Sequence, residues 1–196
     1  SGGHVTINEQ PGSITLRVVK TDAATNAGAQ AGTSLAKAEF TCVSQSTPGW
    51  TRTFTTEGDG QATLSGIPLG TFTLYESKAP EGYLLPHDSW TYTVGPNQLN
   101  DMGVVELERR VPNTHIAFDL EISKFKDYGN DEQSGLEQPA DGVVFEIVSN
   151  SSKQVVGTLT TNIYGFASTK DQPKAWFGPG TRPDGVHGAI PYDREG

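Results

Sequence analysis

Three polar residues, Lys20, Glu76 and Asn113, each follow a run in which every second residue is apolar. Alternate residues of a β-strand share one face, so each polar side chain is expected on the same face as the apolar residues before it. The runs are Ile14, Leu16 and Val18 before Lys20, Phe72 and Leu74 before Glu76, and Val105, Leu107 and Val111 before Asn113, with Arg109 as the one break. If these faces line one core, the three polar side chains approach each other inside it.

These three residue types together suggest the formation of an amide. Burial favours the neutral amine of Lys20 and the neutral acid of Glu76, and a neutral amine is a nucleophile. It can attack the carboxamide carbon of Asn113 while the acid polarises the carbonyl and moves protons, so that ammonia leaves. However, burying such groups costs several kcal/mol. The alternation of side chains along the strands, taken alone, therefore favours the simpler interpretation, in which the three residues lie at fraying strand ends and point into solvent.

Short alternating segments that must position these residues recur along the chain. They are rich in Thr, Val, Ile and aromatic residues and cover residues 14–20, 38–43, 70–76, 90–94 and 104–111. Turn-forming clusters separate them, and the chain contains 23 Gly and 12 Pro. Strands of this kind with frequent turns predict an all-β sandwich.

The composition excludes several classes of protein. With 14 Lys and Arg against 23 Asp and Glu and a net charge of −9, the chain lacks the basic patch that nucleic-acid binding requires. A single cysteine excludes an internal disulfide, and Cys42 is expected to be a core thiol. We also expect no membrane span, because no apolar run is long enough.

Neither a metal nor a cofactor is expected. The four histidines are scattered, and the acidic loop of Asp127, Asn130, Asp131 and Glu132 does not match the calcium-binding spacing of an EF-hand. An enzyme is not expected either, since no nucleophile–base pair, phosphate loop or metal cluster is evident.

The chain also repeats itself at a nearly constant interval. Leu16-Arg-Val-Val-Lys20 is similar to Leu120-Glu-Ile-Ser-Lys124, and Thr55 to Ala62 is similar to Thr160 to Ala167. Gly66-Ile-Pro68 then matches Ala189-Ile-Pro191 after an insertion near residues 170–187. Two copies of one domain type explain this pattern. We therefore expect a linker or the end of a preceding domain at 1–11, a complete domain at 12–114, and a second domain at 115–196 that is incomplete at its C-terminal end.

A local motif favours the buried arrangement of the three residues. Gly70-Thr-Phe-Thr-Leu-Tyr-Glu-Ser-Lys-Ala-Pro-Glu-Gly-Tyr83 resembles the E-box of Gram-positive pilins and of collagen-adhesin B-type (CnaB, SpaA-like) repeats, with Phe72 in place of the first Tyr. The Val-Val-Lys-Thr-Asp22 and Val-Pro-Asn-Thr114 segments are similar to the Lys and Asn strands of that family. The resemblance implies tandem prealbumin-like, Greek-key β-sandwiches with a self-generated isopeptide bond. It makes Lys20 the amine donor, Asn113 the acceptor and Glu76 the catalytic carboxyl.

The second copy repeats only part of this set. Ile116, Phe118, Leu120 and Ile122 are expected to face inward and to end in Lys124. The corresponding Glu would fall near position 202, beyond the chain, and Glu146 has the opposite parity to its apolar neighbours. We therefore expect Lys124 to remain unreacted here, with Lys126 as the alternative nucleophile.

The resemblance implies a structural stalk segment of a cell-wall-anchored, extracellular adhesin or pilin, whose partners are neighbouring repeats of the same polypeptide. The alternative is a module that binds a host matrix protein or a carbohydrate. It would use loop aromatics, such as Trp50 and Trp176, and the second-domain insertion.

Overall fold

A computed structural model describes residues 3, 12–30, 33–126, 137–171 and 190–195. In these ranges the chain forms β-strands and two short 3₁₀ turns, at Pro96–Gln98 and Thr169–Asp171, so the prediction of an all-β protein is confirmed. The strands are β1 (Ser13–Asp22), β2 (Glu39–Ser44), β3 (Thr51–Thr55), β4 (Gln61–Pro68), β5 (Gly70–Lys78), β6 (Ser89–Val94), β7 (Val104–Asn113), β8 (Ala117–Phe118), β9 (Glu121–Ser123), β10 (Phe125–Lys126), β11 (Gln138–Pro139), β12 (Val144–Val148), β13 (Val155–Thr160), β14 (Phe166–Ser168) and β15 (Ile190–Pro191).

Contacts divide the chain into two compact units. Unit 1 comprises the described residues of 1–21, 35–80 and 85–111, and unit 2 those of 22–34, 81–84 and 112–196. The predicted insertion lies almost entirely outside the described residues, as do the acidic loop at Asp127 and the linker up to residue 11. No helix in the described ranges is long and apolar enough to cross a membrane.

Unit 1 is built on two sheets, one with the strand order β4-β1-β7 and one with the order β3-β2-β5-β6. Their alternating residues form one apolar core, as expected when two sheets pack face to face. The core residues are Ile14, Leu16, Val18, Ala38, Phe40, Cys42, Ile67, Phe72, Leu74, Val94, Val105 and Val111.

The first and last strands of this sandwich, β1 and β7, lie side by side and run in the same direction. At one end Ser13 N donates to Gly103 O at 3.1 Å, and at the other Ala23 N donates to Asn113 O at 2.9 Å. Both strands advance by ten residues between these two bonds, which is the signature of a parallel pair. Lys20 and Asn113 are therefore both found near the C-terminal ends of adjacent strands.

Arg109, the one break in the apolar pattern of β7, is accommodated by aromatic residues. Its Nε donates to the Tyr92 hydroxyl at 2.6 Å, and its guanidinium lies 5.4 Å from the ring centroids of both Trp90 and Tyr92. The side chain covers these rings while its charge stays hydrogen-bonded, so the residue is half-buried rather than forced into the core.

Unit 2 contains two-stranded pairings, β15-β8, β14-β9, β10-β11 and β12-β13. Several of them reproduce the register of unit 1 at the interval found in the sequence. Ile67 pairs with Ile14 and Ala62 with Val18 in unit 1, while Ile190 pairs with Phe118 and Ala167 with Ile122 in unit 2.

A buried threonine also recurs in both units. In unit 1, Ala38 N donates to Thr56 Oγ1, which donates to Leu35 O. In unit 2, Val143 N donates to Thr161 Oγ1, which donates to Ala140 O. The two hydroxyls thus close corresponding loops, one before β2 and one before β12.

The expected inward stripe of the second copy is not buried. Phe118 is 50% exposed and Leu120 37% exposed, whereas the matching Ile14 and Leu16 are 0% exposed. Ile116 and Ile122 are half-buried and Lys124 is exposed. These residues are not buried because no described strand of unit 2 packs over them in the place that β5, β6 and β7 occupy in unit 1.

The buried threonine yields a stability prediction. Thr56→Val keeps the shape of the side chain but leaves Ala38 N and Leu35 O without their partner, so unfolding should become easier by about 2 kcal/mol. Urea denaturation of both proteins in a Glu76→Ala background, which removes the carboxyl group that the expected crosslink requires, measures the difference. Thr53→Val, at an exposed position of β3, is the matched control and should change stability by less than about 0.5 kcal/mol. Equal effects of the two substitutions would refute this role for Thr56.

Candidate functional site

The backbone around Lys20 is held tightly against the turn before β4. Lys20 N donates to Gly60 O at 2.8 Å. Gly60 has a φ of 76°, and a Cβ at this position would approach the Leu35 Cβ to 3.1 Å. Glycine therefore supplies both the left-handed turn and the close approach. Continuing the inward face of Val18, Lys20 is only 2% exposed.

Glu76 approaches Lys20 from the opposite sheet. It lies on β5, paired in register with Phe40 of β2. The Lys20 Nζ lies 2.9 Å from Glu76 Oε2, and both side chains are 0% exposed. The same nitrogen is 5.7 Å from the centroid of the Phe40 ring. The pair is thus a hydrogen-bonded acid and amine in an apolar surround.

Burial lowers the pKa of Lys20, because removing the ammonium from water costs more than its attraction to Glu76 returns. At 2.9 Å a proton can pass from Nζ to the carboxylate, which converts the ion pair into a neutral amine and a neutral acid. That neutral state is the one in which an amine has a free lone pair for attack.

Asn113, the last residue of β7, is 1% exposed. Its backbone oxygen accepts from Ala23 N, and its Nδ2 donates a long hydrogen bond of 3.4 Å to Leu84 O. The predicted burial of Lys20, Glu76 and Asn113 is therefore confirmed, and the alternative in which they point into solvent is wrong. Their predicted chemical roles stay predictions.

Three buried polar residues that the sequence did not single out, Asp22, Tyr83 and His115, lie in unit 2. Asp22 is 0% exposed and accepts from the Tyr83 hydroxyl at 2.8 Å and from Gln30 Nε2 at 3.0 Å. Tyr83, whose pKa burial raises to about 12, stacks on the His115 ring at 5.2 Å. A sequence signal exists for two of them, since Asp22 ends the Lys-Thr-Asp segment and Tyr83 ends the E-box-like segment, whereas His115 lies outside both motifs.

His115 is a buried neutral imidazole. Its Nε2 lies 3.1 Å from the Tyr192 carbonyl oxygen, which can only accept, so Nε2 carries the proton. Its Nδ1 is buried and has no hydrogen-bond partner among the residues that the structure describes. Burial lowers the pKa of His115, and the nearby Asp22 carboxylate offsets only part of that shift. A second proton would have to be placed on Nδ1, for which no described residue provides an acceptor.

Lys124, the matching lysine of the second copy, has the same backbone environment as Lys20 but not its burial. Its N donates to Gly165 O, as Lys20 N does to Gly60 O, yet the residue is exposed, and so is Lys126. Glu146 is exposed on β12, opposite in parity to half-buried Phe145, as predicted.

Two further candidates from the sequence, Cys42 and Trp50, have structural roles. Cys42 is fully buried, and burial raises its pKa to about 11, which keeps the thiol protonated as predicted for a core residue. Trp50 packs on the core of unit 1 with Arg52 over its ring at 5.0 Å. Within the described ranges no three His, Cys, Asp or Glu residues are placed to hold a metal ion.

Comparison with known protein families finds a match for the first part of the chain. Residues 14–107, slightly under half of it, match the family described as SpaA, a prealbumin-like fold domain. The first part of the chain is therefore similar to that family, and the matched residues include both Lys20 and Glu76. A search of the curated proteins finds no match.

A search of the solved structures finds proteins similar to this chain, and the first one below shares its fold. The Bacillus anthracis TIE protein is 23% identical with a TM-score of 0.58, over 80% of this chain and 26% of that one. The group B streptococcus pilus 2b backbone protein is 26% identical with a TM-score of 0.39, over 56% and 43%. BcpA, the major pilin subunit of Bacillus cereus, is 22% identical with a TM-score of 0.39, over 54% and 31%. The chain thus spans less than half of each of these structures.

The burial of His115 leads to a pH prediction. Because its folded-state pKa lies below the ordinary value of 6.5, the unfolded state takes up a proton first as the pH falls. Stability should be unaffected above that value and should be lost progressively below it, down to the folded-state pKa. His115→Phe keeps the stacking on Tyr83 and should flatten this loss. Thermal unfolding midpoints between about pH 7.5 and about pH 5 measure the effect.

The exposed His87 provides the control for this experiment. His87→Phe should leave the pH dependence as it is in the unmodified chain. If His115→Phe loses stability below pH 6.5 as steeply as the unmodified chain does, the buried imidazole is not the group responsible.

Proposed function

We propose that this chain is a structural segment of the stalk of a surface pilin or adhesin, stabilised by an amide between Lys20 and Asn113 whose formation Glu76 promotes. The observation that carries the proposal is the fully buried Lys20–Glu76 pair with its 2.9 Å contact. The match of residues 14–107 to the SpaA family supports the structural role. An extracellular, wall-anchored location is part of the same proposal.

A purely stabilising role is a poor explanation of this pair. The desolvation of two buried charges commonly offsets their attraction, and replacement by apolar residues of similar volume is often neutral or stabilising. The pair instead has the properties that amide formation needs, namely an amine whose pKa is lowered by burial and a carboxyl group at hydrogen-bond distance from it.

In the proposed reaction the lone pair of Lys20 Nζ attacks Cγ of Asn113. Glu76, which has taken one proton from Nζ, donates it to the carboxamide, and the bond from Cγ to Nδ2 breaks. A second hydrogen of the amine and the proton donated by Glu76 leave with Nδ2 as ammonium, and Glu76 is again a carboxylate, so the chain loses the mass of one ammonia. The reaction happens once in each molecule and turns over no external substrate.

The strand arrangement indicates what such a bond would do. It would join β1 to β7, the adjacent parallel strands that begin and end the sandwich. A pulling force entering at β1 would reach the exit of β7 through covalent bonds, and the residues between the two would carry no load. Closing a loop of roughly 90 residues would also stabilise the fold by about 4–5 kcal/mol, if the entropy estimate for disulfides applies. With one cysteine, the chain cannot form an internal disulfide for this purpose.

The proposal treats residues 12–114 and 115–196 as two domains of one type. The recurrence of the Ile67–Ile14 pairing as Ile190–Phe118, and of the Thr56 hydroxyl bonds at Thr161, supports it. The alternative of a ligand-binding module gains no support from Trp50, which packs on the core, and its insertion lies outside the described residues.

Intact mass under denaturing conditions tests the crosslink. The unmodified chain should weigh less than its sequence by one ammonia, and Lys20→Ala or Glu76→Ala should each restore the full sequence mass of that variant. Lys124→Ala is the matched control and should still lose one ammonia, because Lys124 is exposed. A full-mass unmodified chain would overturn the mechanism, and a loss of two ammonias would show that Lys124 or Lys126 reacts as well.

A further inference from the structure

The tail of the E-box-like segment, residues 81–84, is bound along the chain that leaves Asn113. Leu84 N donates to Thr114 O at 2.8 Å, and Ile116 N donates to Gly82 O at 2.7 Å. Tyr83 and His115 form an antiparallel bridge between these two bonds. Leu84 is thereby placed beside Asn113, and its carbonyl oxygen accepts from Asn113 Nδ2 at 3.4 Å.

Asp22 anchors this tail through Tyr83. The Tyr83 hydroxyl donates to Asp22 Oδ2 at 2.8 Å, and Asp22 Oδ1 accepts from Ala24 N at 2.8 Å and from Thr25 N at 3.2 Å. A fully buried carboxylate with this many donors is fixed in place. Ala23, the next residue, donates its N–H to Asn113 O at 2.9 Å. One short stretch therefore holds the backbone of Asn113 directly and its side chain through Tyr83 and Leu84.

Glycine at position 82 is required for this arrangement. Gly82 has a φ of 86°, and a Cβ there would lie 2.6 Å from the Tyr192 ring and 2.9 Å from Thr33 Cγ2. The left-handed turn directs Tyr83 towards Asp22.

A carboxamide has two orientations related by a half-turn, and the Leu84 carbonyl distinguishes them. A carbonyl oxygen only accepts, so it favours the orientation in which Nδ2 faces Leu84 and Oδ1 faces the opposite way. In the reaction proposed above, Nδ2 is the leaving group and Oδ1 is the atom that an acid must polarise. The wrong orientation would exchange these two atoms and block the reaction.

We infer that Asp22 and Tyr83 are positioning residues for the crosslink, which hold the Leu84 carbonyl against Asn113 and so orient its carboxamide before Lys20 attacks. This inference rests on the proposed function. The hydrogen bond from Nδ2 to Leu84 O persists while the Cγ–Nδ2 bond breaks, and Leu84 is neither protonated nor consumed. Preorganising a reacting group in this way accelerates a reaction without adding a chemical step.

The rate of ammonia loss is the first test. Chains made in a cell-free translation pulse are quenched in acid at intervals, and intact mass gives the crosslinked fraction with time. Tyr83→Phe removes only the hydroxyl bonded to Asp22 and should slow the reaction about tenfold. Asp22→Asn should slow it at least as much. Tyr92→Phe is the control, because it also removes a hydrogen-bonded tyrosine hydroxyl, here one that accepts from Arg109 Nε, and it should change the rate by less than about twofold. The inference is overturned if Tyr83→Phe reacts at the original rate, or if Tyr92→Phe is equally slow.

The second test reads the orientation of Asn113 without requiring the reaction. In a Glu76→Ala background the carboxamide stays intact, and NMR follows hydrogen exchange of its two Nδ2 protons. Adding Tyr83→Phe should speed this exchange severalfold, whereas adding Tyr92→Phe should not. Unchanged exchange would refute the positioning role. If the unmodified chain never loses ammonia but the exchange responds to Tyr83→Phe, the proposed function fails while the placement of Asn113 by Tyr83 stands.

Discussion

The burial of the Lys20 amine against the Glu76 carboxyl is the interaction that the packing of unit 1 has to accommodate. Both side chains are completely removed from solvent, and their nitrogen and oxygen are 2.9 Å apart. An apolar core tolerates such a pair only when geometry and hydrogen bonding offset the loss of hydration. The turn at Gly60, the Phe40 ring and the register of β5 on β2 all serve to place these two groups.

A second buried polar cluster lies in unit 2, and it is built differently. Here hydroxyl, amide and backbone donors surround the Asp22 carboxylate, whereas Lys20 has its pKa lowered by an apolar surround. In the reaction proposed above, the first environment would supply the neutral amine, and the second would support the chain segment that carries Asn113.

Internal repetition provides a comparison within one chain. The two copies share strand register, a buried threonine hydroxyl and a left-handed glycine at the same turn, so local sequence reproduces local structure faithfully. They differ in what covers them. Ile14 is buried under the second sheet of its unit, and its counterpart Phe118 is half exposed. Burial therefore depends on distant strands even where the neighbouring residues match.

The sequence by itself determined the all-β class, the alternation that puts Lys20, Glu76 and Asn113 on core-facing stripes, and the repeat interval. All of these follow from the two-residue period of a strand and from turn chemistry, which are local properties. It did not determine the burial of the second stripe, the placement of Arg109 on Trp90 and Tyr92, or the cluster of Asp22, Tyr83 and His115. These features depend on contacts between residues that are far apart in the sequence. The Arg109–Tyr92 hydrogen bond joins residues 17 positions apart, and the Asp22–Tyr83 hydrogen bond joins residues 61 positions apart. Only the tertiary structure decides such contacts, because strand pairing and loop packing bring together residues that no local periodicity connects.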